Sequence, residues 1–332
     1  MIRFTRREAL AATGGGLVAA AAPLPKTLPK TMPKTMTVPK PDRELRIPVS
    51  GGSVHVRING DLTAERAPLL MAHGGPGGCH AGLVPALALA DERAVILWDQ
   101  LDCGLSDAPG DPANWTVARF TDEIAAIRAA LGLERLHLLG HSWGATIALE
   151  YAARQMPGLC SLVLQGPLVS TPRWIDDANR LRRQLPADVQ AVLAACEGPN
   201  PPSPESCAAA TDAFYAQFWR REPLPAWLAA YEATIPNRHN AALYNFMWGA
   251  NEFVCTGTLK DYDGTPLLAR LTSPTLFLVG EYDEATPDAV REFARATRQA
   301  EVVIIPGAAH RIQSDRMEAC NAALRRWMTR FD

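Results

Sequence analysis

The chain has 332 residues, of which 48% are hydrophobic and 20% charged, and its formal net charge is −2 at pH 7. This composition is typical of a folded globular protein, and the length is sufficient for a large core with a smaller lobe. The near-neutral balance provides no basic field, which argues against nucleic acid and anionic membranes as partners.

Residues 1–22 predict an export signal. The segment TRREAL, starting at Thr5, resembles the twin-arginine motif, and a Gly/Ala-rich apolar run continues to Ala22. This run is shorter than the roughly 20 strongly apolar residues that a membrane span needs. We therefore expect export by the twin-arginine route to the periplasm or beyond, without stable membrane insertion after signal removal. The alternative is a basic N-terminus on a cytoplasmic protein.

Residues 23–41 read PLPKTLPKTMPKTMTVPKP and predict a solvated linker outside the fold. Prolines at this density prevent helix formation and strand pairing. Residues 1–41 carry a net charge of +6, which leaves −8 for residues 42–332. An acidic body of this kind suits a cationic substrate without requiring one.

The seven cysteines leave at least one thiol unpaired. Cys196 and Cys207 bracket EGPNPPSPES, for which we expect no regular structure. A disulfide that closes this loop would suit an oxidising compartment, and two free thiols are the alternative. The cysteine spacing matches no metal site, and neither a Walker loop nor a dinucleotide-binding motif is present, so we expect no metal and no cofactor.

From residue 44 onward, strand and helix patterns alternate. Runs at 45–49 and 53–58, separated by Gly51-Gly52, predict an antiparallel hairpin. Continuous apolar runs then predict strands buried on both faces of a parallel sheet. These runs are Leu69–Ala72, Ala94–Trp98, Leu136–Leu139, Leu162–Leu164, Thr275–Val279 and Val302–Ile305. The predicted helices are Ala118–Leu131, Ala145–Arg154, Asp288–Arg298 and Arg316–Met328. The pattern indicates a doubly wound α/β core formed by residues 42–166 and 264–332.

Residues 167–263 predict a helical cap inserted after the sixth strand. The segment shows no strand–helix alternation and contains several prolines and four tryptophans: Trp174, Trp219, Trp227 and Trp248. A second independent domain is the alternative, but the alternation resumes afterwards, which favours an insertion. A cap above the strand ends would exclude water from a site there.

The segment GHSWG, from Gly140 to Gly144, fits the pattern G-x-S-x-G. A predicted strand leads into it and a predicted helix follows, which is the setting of the nucleophile elbow in the α/β-hydrolase fold. The glycines allow a turn tight enough to expose the hydroxyl of Ser142 as the nucleophile. The alternative is that Ser142 only caps the helix.

A serine nucleophile needs a base and an acid, which follow it along the chain in this fold. His310 comes directly after the last buried strand and is the preferred base, with His239 in a polar turn of the cap as the alternative. Asp283, after the preceding strand, is the expected acid that orients the imidazole, and Glu281 is the alternative.

The oxyanion hole requires two backbone N–H groups directed at the developing charge. We assign one to Trp143, directly after the nucleophile. The second comes from HGGPGG at 73–78, where we assign Gly75. A purely structural turn is the alternative for this loop.

Several segments together resemble the proline iminopeptidase family of α/β-hydrolases across residues 72–332. They are HGGPGG at 73–78, WDQLDCGLSD at 98–107, GHSWGA at 140–145, NEF followed by TGTLKDYD within 251–263, and GEYDEATP at 280–287. Members remove N-terminal residues, often proline, from short peptides, and some hydrolyse amino-acid amides. The resemblance implies a small-molecule or short-peptide substrate with a free amino group.

The same resemblance implies acidic cap residues that bind this amino group. Glu252 matches one of them, and an ammonium group leaving water needs such a carboxylate. A cap–core ion pair is the structural alternative. A second acid is expected, for which Asp212 is a candidate, and we also assign Gly74 and Trp248 to substrate binding.

The family usually has glycine at position 102, where this chain has Asp102. Its carboxylate either alters substrate choice or bonds to the loop backbone.

The prediction is a serine hydrolase that cleaves amide bonds through an acyl-enzyme. A carboxylesterase or lactonase with the same triad is one alternative, and a non-catalytic binding relative is another.

Overall fold

An eight-stranded sheet forms the centre of the computed structural model, which describes residues 37–332. The predicted export signal and residues 23–36 of the predicted linker lie outside the described residues. The strands are β1 (Arg43–Val49), β2 (Gly52–Asn59), β3 (Leu69–Ala72), β4 (Val95–Trp98), β5 (Leu136–His141), β6 (Leu159–Gln165), β7 (Thr275–Gly280) and β8 (Ala300–Ile305).

The spatial order of the strands is β1-β2-β4-β3-β5-β6-β7-β8. The strands β1, β2 and β4 pair antiparallel, and the pairs from β4 to β8 are parallel. The predicted mostly parallel, doubly wound sheet is therefore confirmed. The carboxyl ends of β3, β5, β6, β7 and β8 meet at one edge, where loops from different parts of the chain come together.

The continuous apolar strands are explained by two hydrophobic clusters, one on each face of the sheet. In β7, Phe277 and Val279 belong to one cluster and Leu276 and Leu278 to the other. Because successive side chains of a strand point to opposite faces, a strand covered on both sides needs apolar residues at every position.

The helices are α1 (Val117–Ala130), α2 (Trp143–Ala152), α3 (Thr171–Arg182), α4 (Ala187–Cys196), α5 (Pro204–Phe218), α6 (Ala226–Glu232), α7 (Ala241–Met247), α8 (Thr265–Leu268), α9 (Pro287–Arg295), α10 (Ile312–Asp315) and α11 (Met317–Met328). Two 3-10 helices span His80–Asp91 and Pro112–Asn114. The segment at 80–91 was not predicted, because it lacks an amphipathic period and contains Pro85. No helix in residues 37–332 combines the length and apolar character that crossing a membrane requires.

The cap comprises α3 to α7, between β6 and β7. A disulfide joins Cys196 at the end of α4 to Cys207 in α5. The bracketed segment is more regular than expected, because α5 begins at Pro204. Ser203 Oγ accepts a hydrogen bond from Ser206 N, and proline suits the first position of a helix, so this sequence starts one.

The last residues of the predicted linker lie against the sheet. The carbonyl of Pro39 accepts a hydrogen bond from Arg57, and that of Lys40 accepts one from Asn59 Nδ2 at 2.7 Å. Side chains of β2 therefore hold a stretch of chain that composition alone suggested to be fully solvated.

Candidate active site

Ser142 lies in a sharp turn between β5 and α2. Its φ is 56° and its ψ is −122°, a conformation that residues with a side chain rarely adopt. A Cβ on Gly140 would lie 2.2 Å from the carbonyl oxygen of Gly144, and a Cβ on Gly144 would lie 2.3 Å from that of Ala72. Both glycines of G-x-S-x-G are therefore required for this turn.

The loop after β3 closely approaches the nucleophile. A Cβ on Gly74 would lie 3.0 Å from the Cβ of Ser142, and Gly75 has a φ of 129°. Trp143 is the first residue of α2, so its N–H has no acceptor within the helix. The structure thus places Gly74 and Trp143 beside Ser142, and Gly75 follows directly in the same loop.

Gln100 links the elbow to the loop after β3 through hydrogen bonds. Trp143 Nε1 donates to Gln100 Oε1 at 2.8 Å, and Gln100 Nε2 donates to the carbonyl of His73 at 2.9 Å. Sequence reasoning assigned no role to this residue. Its place in WDQLDCGLSD, directly after the buried strand β4, was the available signal.

His310 and Asp283 form a buried pair after β8 and β7. His310 Nδ1 lies 2.7 Å from Asp283 Oδ1, and the two residues are 3% and 1% exposed. Asp283 Oδ1 also accepts from Ala285 N at 2.9 Å. Nδ1 must be the donor to a carboxylate, which leaves Nε2 as the proton-accepting nitrogen.

The imidazole also lies next to the elbow. Its ring centroid is 4.7 Å from that of His141, the residue directly before Ser142. The hydrogen bonds within residues 37–332 do not include one between Ser142 Oγ and His310 Nε2. Catalytic hydrogen bonds of this kind are often long until substrate binds.

The alternative acid and base lie elsewhere. Glu281 Oε2 accepts from the backbone N–H of Gly307 at 2.8 Å, so it holds the β8 loop. His239 is exposed in the cap, with its ring 5.5 Å from that of Tyr244. Within residues 37–332, neither Glu281 nor His239 forms a hydrogen bond with Asp283 or His310.

Glu252, which the sequence assigns to amine binding, lies near His310. Tyr244 Oη donates to its Oε1. Desolvation raises the pKa of Glu252, opposed by the bond from Tyr244 and the nearby imidazole of His310.

Glu284 is a second carboxylate that sequence reasoning missed. It is 1% exposed, its Oε1 lies 3.8 Å from His310 Nε2, and its Oε2 has no hydrogen-bond partner among residues 37–332. Desolvation, and then repulsion by Glu252 and Asp283, raise the pKa of Glu284 well above its ordinary value. The signal was its position directly after Asp283 in GEYDEATP. Burial of a carboxyl group without a hydrogen-bond donor costs folding free energy. Such a group in a native structure therefore calls for an explanation, such as the binding of a ligand.

Comparisons with known proteins identify the family. Residues 67–316 match the family model of the alpha/beta hydrolase fold. A proline iminopeptidase of Heyndrickxia coagulans is 39% identical, with 80% of this chain and 91% of the relative covered. One from Levilactobacillus brevis is 34% identical, with 87% and 97% covered. The crystal structure of the Mycobacterium smegmatis proline iminopeptidase has a TM-score of 0.77 at 33% identity, with 87% and 98% covered.

The chain belongs to the proline iminopeptidase family of α/β-hydrolases. It is accordingly a hydrolase of the serine-peptidase type, and the expected fold and enzyme class are confirmed.

Trp248, assigned to substrate binding, and Asp212, the candidate second acid, differ in their burial. Trp248 is 2% exposed, its ring packs against Trp174 at 6.1 Å, and its Nε1 donates to the carbonyl of Asn251. Trp174 in turn lies 5.5 Å from the His310 ring, so Trp248 packs behind a residue that contacts the base. Asp212 is exposed on α5.

Asp102 bonds within its own loop. Its Oδ1 accepts from Gly110 N at 2.7 Å and its Oδ2 from Trp115 Nε1 at 2.8 Å. Its carbonyl accepts from the side chains of Asn237 and Asn240 in the cap. The carboxylate therefore bonds within the loop that contacts the cap, as one of the two predicted roles requires.

One cluster in residues 37–332 has the residue types of a metal site: His55, His80 and Asp99. Asp99 already accepts from His80 N at 2.8 Å, His80 Nδ1 at 2.9 Å and Leu105 N at 2.9 Å. Burial alone would raise the pKa of Asp99, but His80 and His55 hold it well below its ordinary value. Because His80 Nε2 reaches Tyr231 Oη in α6 at 2.7 Å, the cluster links the sheet to the cap.

Proposed function

We propose that this hydrolase is an N-terminal exopeptidase that cleaves the amide bond after a residue with a free α-amino group. Short peptides and amino-acid amides are the substrates. Two carboxylates near His310, the half-buried Glu252 and the buried Glu284, are the observation that carries this proposal.

The distances within a peptide explain why this pair indicates the N-terminal residue. An α-amino nitrogen lies about 2.5 Å from the carbonyl carbon of its own residue. Glu284 Oε1 lies 3.8 Å from His310 Nε2. An ammonium group bound by Glu284 therefore brings its own carbonyl to the base and nucleophile. An amino group further along the substrate could not do so.

The proposed roles give a complete acyl-transfer cycle. Ser142 Oγ attacks the carbonyl carbon while His310 Nε2 takes its proton, and Asp283 stabilises the resulting imidazolium. The N–H groups of Trp143 and Gly75 bind the oxyanion. The C–N bond then breaks as His310 protonates the leaving amine, and water activated by His310 hydrolyses the acyl-enzyme.

The names of the relatives support proline as an accepted N-terminal residue. The aromatic rings of Trp174 and Tyr244 near Glu252 and His310 are compatible with an apolar ring. We further propose export by the twin-arginine route, supported by Arg6-Arg7 before an apolar run and by the disulfide Cys196–Cys207. Retention of an Arg6→Lys, Arg7→Lys double variant in the cytoplasm would test the route.

A substrate panel tests the proposed reaction. Prolyl and alanyl arylamides should be hydrolysed, and their N-acetylated forms should not. Glu252→Gln and Glu284→Gln should each lower kcat/KM for the free amines by about 10- to 100-fold, the loss expected for one charge-assisted hydrogen bond. Glu281→Gln is the matched control, because that carboxylate bonds to Gly307.

Esters without an amino group provide the contrasting case. Their hydrolysis should be slow but insensitive to Glu252→Gln and Glu284→Gln. Efficient ester turnover combined with free-amine turnover that neither substitution changes would identify a carboxylesterase instead.

A further inference from the structure

His141, the variable residue of the G-x-S-x-G pattern, touches the base directly. It ends β5, immediately before Ser142. Its Nε2 lies 3.0 Å from the carbonyl oxygen of His310, and the two rings are 4.7 Å apart at 36°. A carbonyl oxygen only accepts, so Nε2 of His141 must carry a proton.

This contact is one of several hydrogen bonds that hold His310 and the loop after β8, residues 306–311. The N–H of His310 donates to the carbonyl of Phe218 at the end of α5, at 3.1 Å, and Nδ1 faces Asp283. The carbonyl of His310 accepts from Ile312 N at 2.9 Å as well as from His141. Among the hydrogen bonds of residues 37–332, only the one from His141 links this loop to β5, the strand that leads to the nucleophile.

The low pKa of His141 also suits it to a position beside the base. Desolvation, and then the neighbouring His310, hold the pKa of His141 well below its usual range. A neutral ring can stack beside His310 without opposing the positive charge that the base acquires when it takes the proton of Ser142.

We propose that His141 is a positioning residue that fixes His310 relative to Ser142. The inference rests on the proposed roles of those two residues and is independent of the amine-binding pair. A shift of about 1 Å between reacting groups costs up to 100-fold in rate. Loss of the bond should therefore lower kcat and leave KM nearly unchanged, because no substrate contact is removed.

Two substitutions separate the bond from the ring. His141→Phe keeps an aromatic ring and removes the donor, and a cavity of about 40 Å³ beside His141 and Gly74 leaves room for the ring. His141→Gln keeps a donor nitrogen at the same number of bonds from the backbone. The rate of labelling by a fluorophosphonate is the main readout, since it needs the serine and its base but no amino group.

The Phe variant should label and turn over about 10- to 100-fold more slowly, with KM within about twofold. The Gln variant should recover most of the rate. His137→Phe is the control: it lies on the same strand, and its ring bonds Ser161 and Asp332 instead. It should lower the melting temperature with little effect on labelling of the folded protein.

Equal rates for the Phe variant and the parent would overturn the proposal. Equal slow rates for the Phe and Gln variants would also overturn it, because the donor would then be irrelevant. If labelling follows the prediction but no arylamide is cleaved, the proposed exopeptidase function fails while the role of His141 stands.

Discussion

Asp283 and Glu284 are consecutive carboxylates in one loop, and both are 1% exposed. Asp283 accepts bonds from His310 Nδ1 and from the backbone N–H of Ala285. In the part of the chain that the structure describes, Glu284 has one oxygen without a hydrogen-bond partner and the other 3.8 Å from His310 Nε2. The two carboxylates are equally buried, but Asp283 accepts hydrogen bonds from its neighbours whereas Glu284 is short of donors among the described residues.

The difference teaches how a buried carboxylate acquires a role. A carboxylate that accepts hydrogen bonds from its neighbours holds the imidazole in one tautomer. One that lacks donors has a raised pKa, and binding of a cation would supply the partner that it lacks. Glu252 lies between α7 and β7 in the chain, so the proposed amine-binding site combines one carboxylate from the segment inserted after β6 with one from the loop after β7.

The largest expected effect concerns the bonded carboxylate. Asp283→Asn should lower kcat by about 10³- to 10⁴-fold, because an amide donating to Nδ1 favours the wrong tautomer. The loss should be the same for arylamides, esters and fluorophosphonate labelling, since all three use the base. Steady-state kinetics on a free-amine arylamide and on an ester without an amino group, together with the rate of fluorophosphonate labelling, measures it.

Glu284→Gln is the natural counterpart in that experiment, with a loss confined to substrates that have a free amino group. A selective loss in Asp283→Asn, or a general one in Glu284→Gln, would contradict the division of roles between these neighbours.

Sequence predicted the core of this molecule better than its pocket. The elbow at Ser142 was recognisable because its glycines are forced by close backbone approaches, and His310 and Asp283 because each follows a buried strand. Those signals are local. Glu284 could not be found in this way, because what distinguishes it from Glu281 is the set of donors that the folded chain provides or withholds. Gln100 and His141 likewise depend on contacts between distant segments.

An intermediate effect is expected in the pH dependence. The raised pKa values of Glu252 and Glu284 keep a proton in the empty pocket, and an ammonium group must displace it. The kcat/KM for a free-amine substrate should therefore rise with pH across these raised values, up to about pH 8, where an α-amino group loses its charge.

An ester without an amino group displaces no carboxyl proton when it binds. Its kcat/KM should therefore rise with pH at lower pH values or less steeply. Glu284→Gln should bring the two profiles together. Profiles that already superpose in the parent enzyme would mean that no carboxyl proton is displaced on binding.

The smallest effect is on stability. Because the pKa of Glu284 is raised in the folded state, the native protein binds more protons than the unfolded chain between the ordinary value, near 4.3, and the raised one. The stabilisation is complete below that range and is lost as pH rises through it. Glu284→Gln removes this loss, so the variant should melt higher than the parent at pH 8, by about 1.5–2 °C for each kcal/mol recovered. The difference should shrink at pH 5, and Glu281→Gln should show neither change. A variant that melts lower than the parent at both pH values would mean that the carboxylate of Glu284 has bonding partners in solution, and its contrast with Asp283 would be lost.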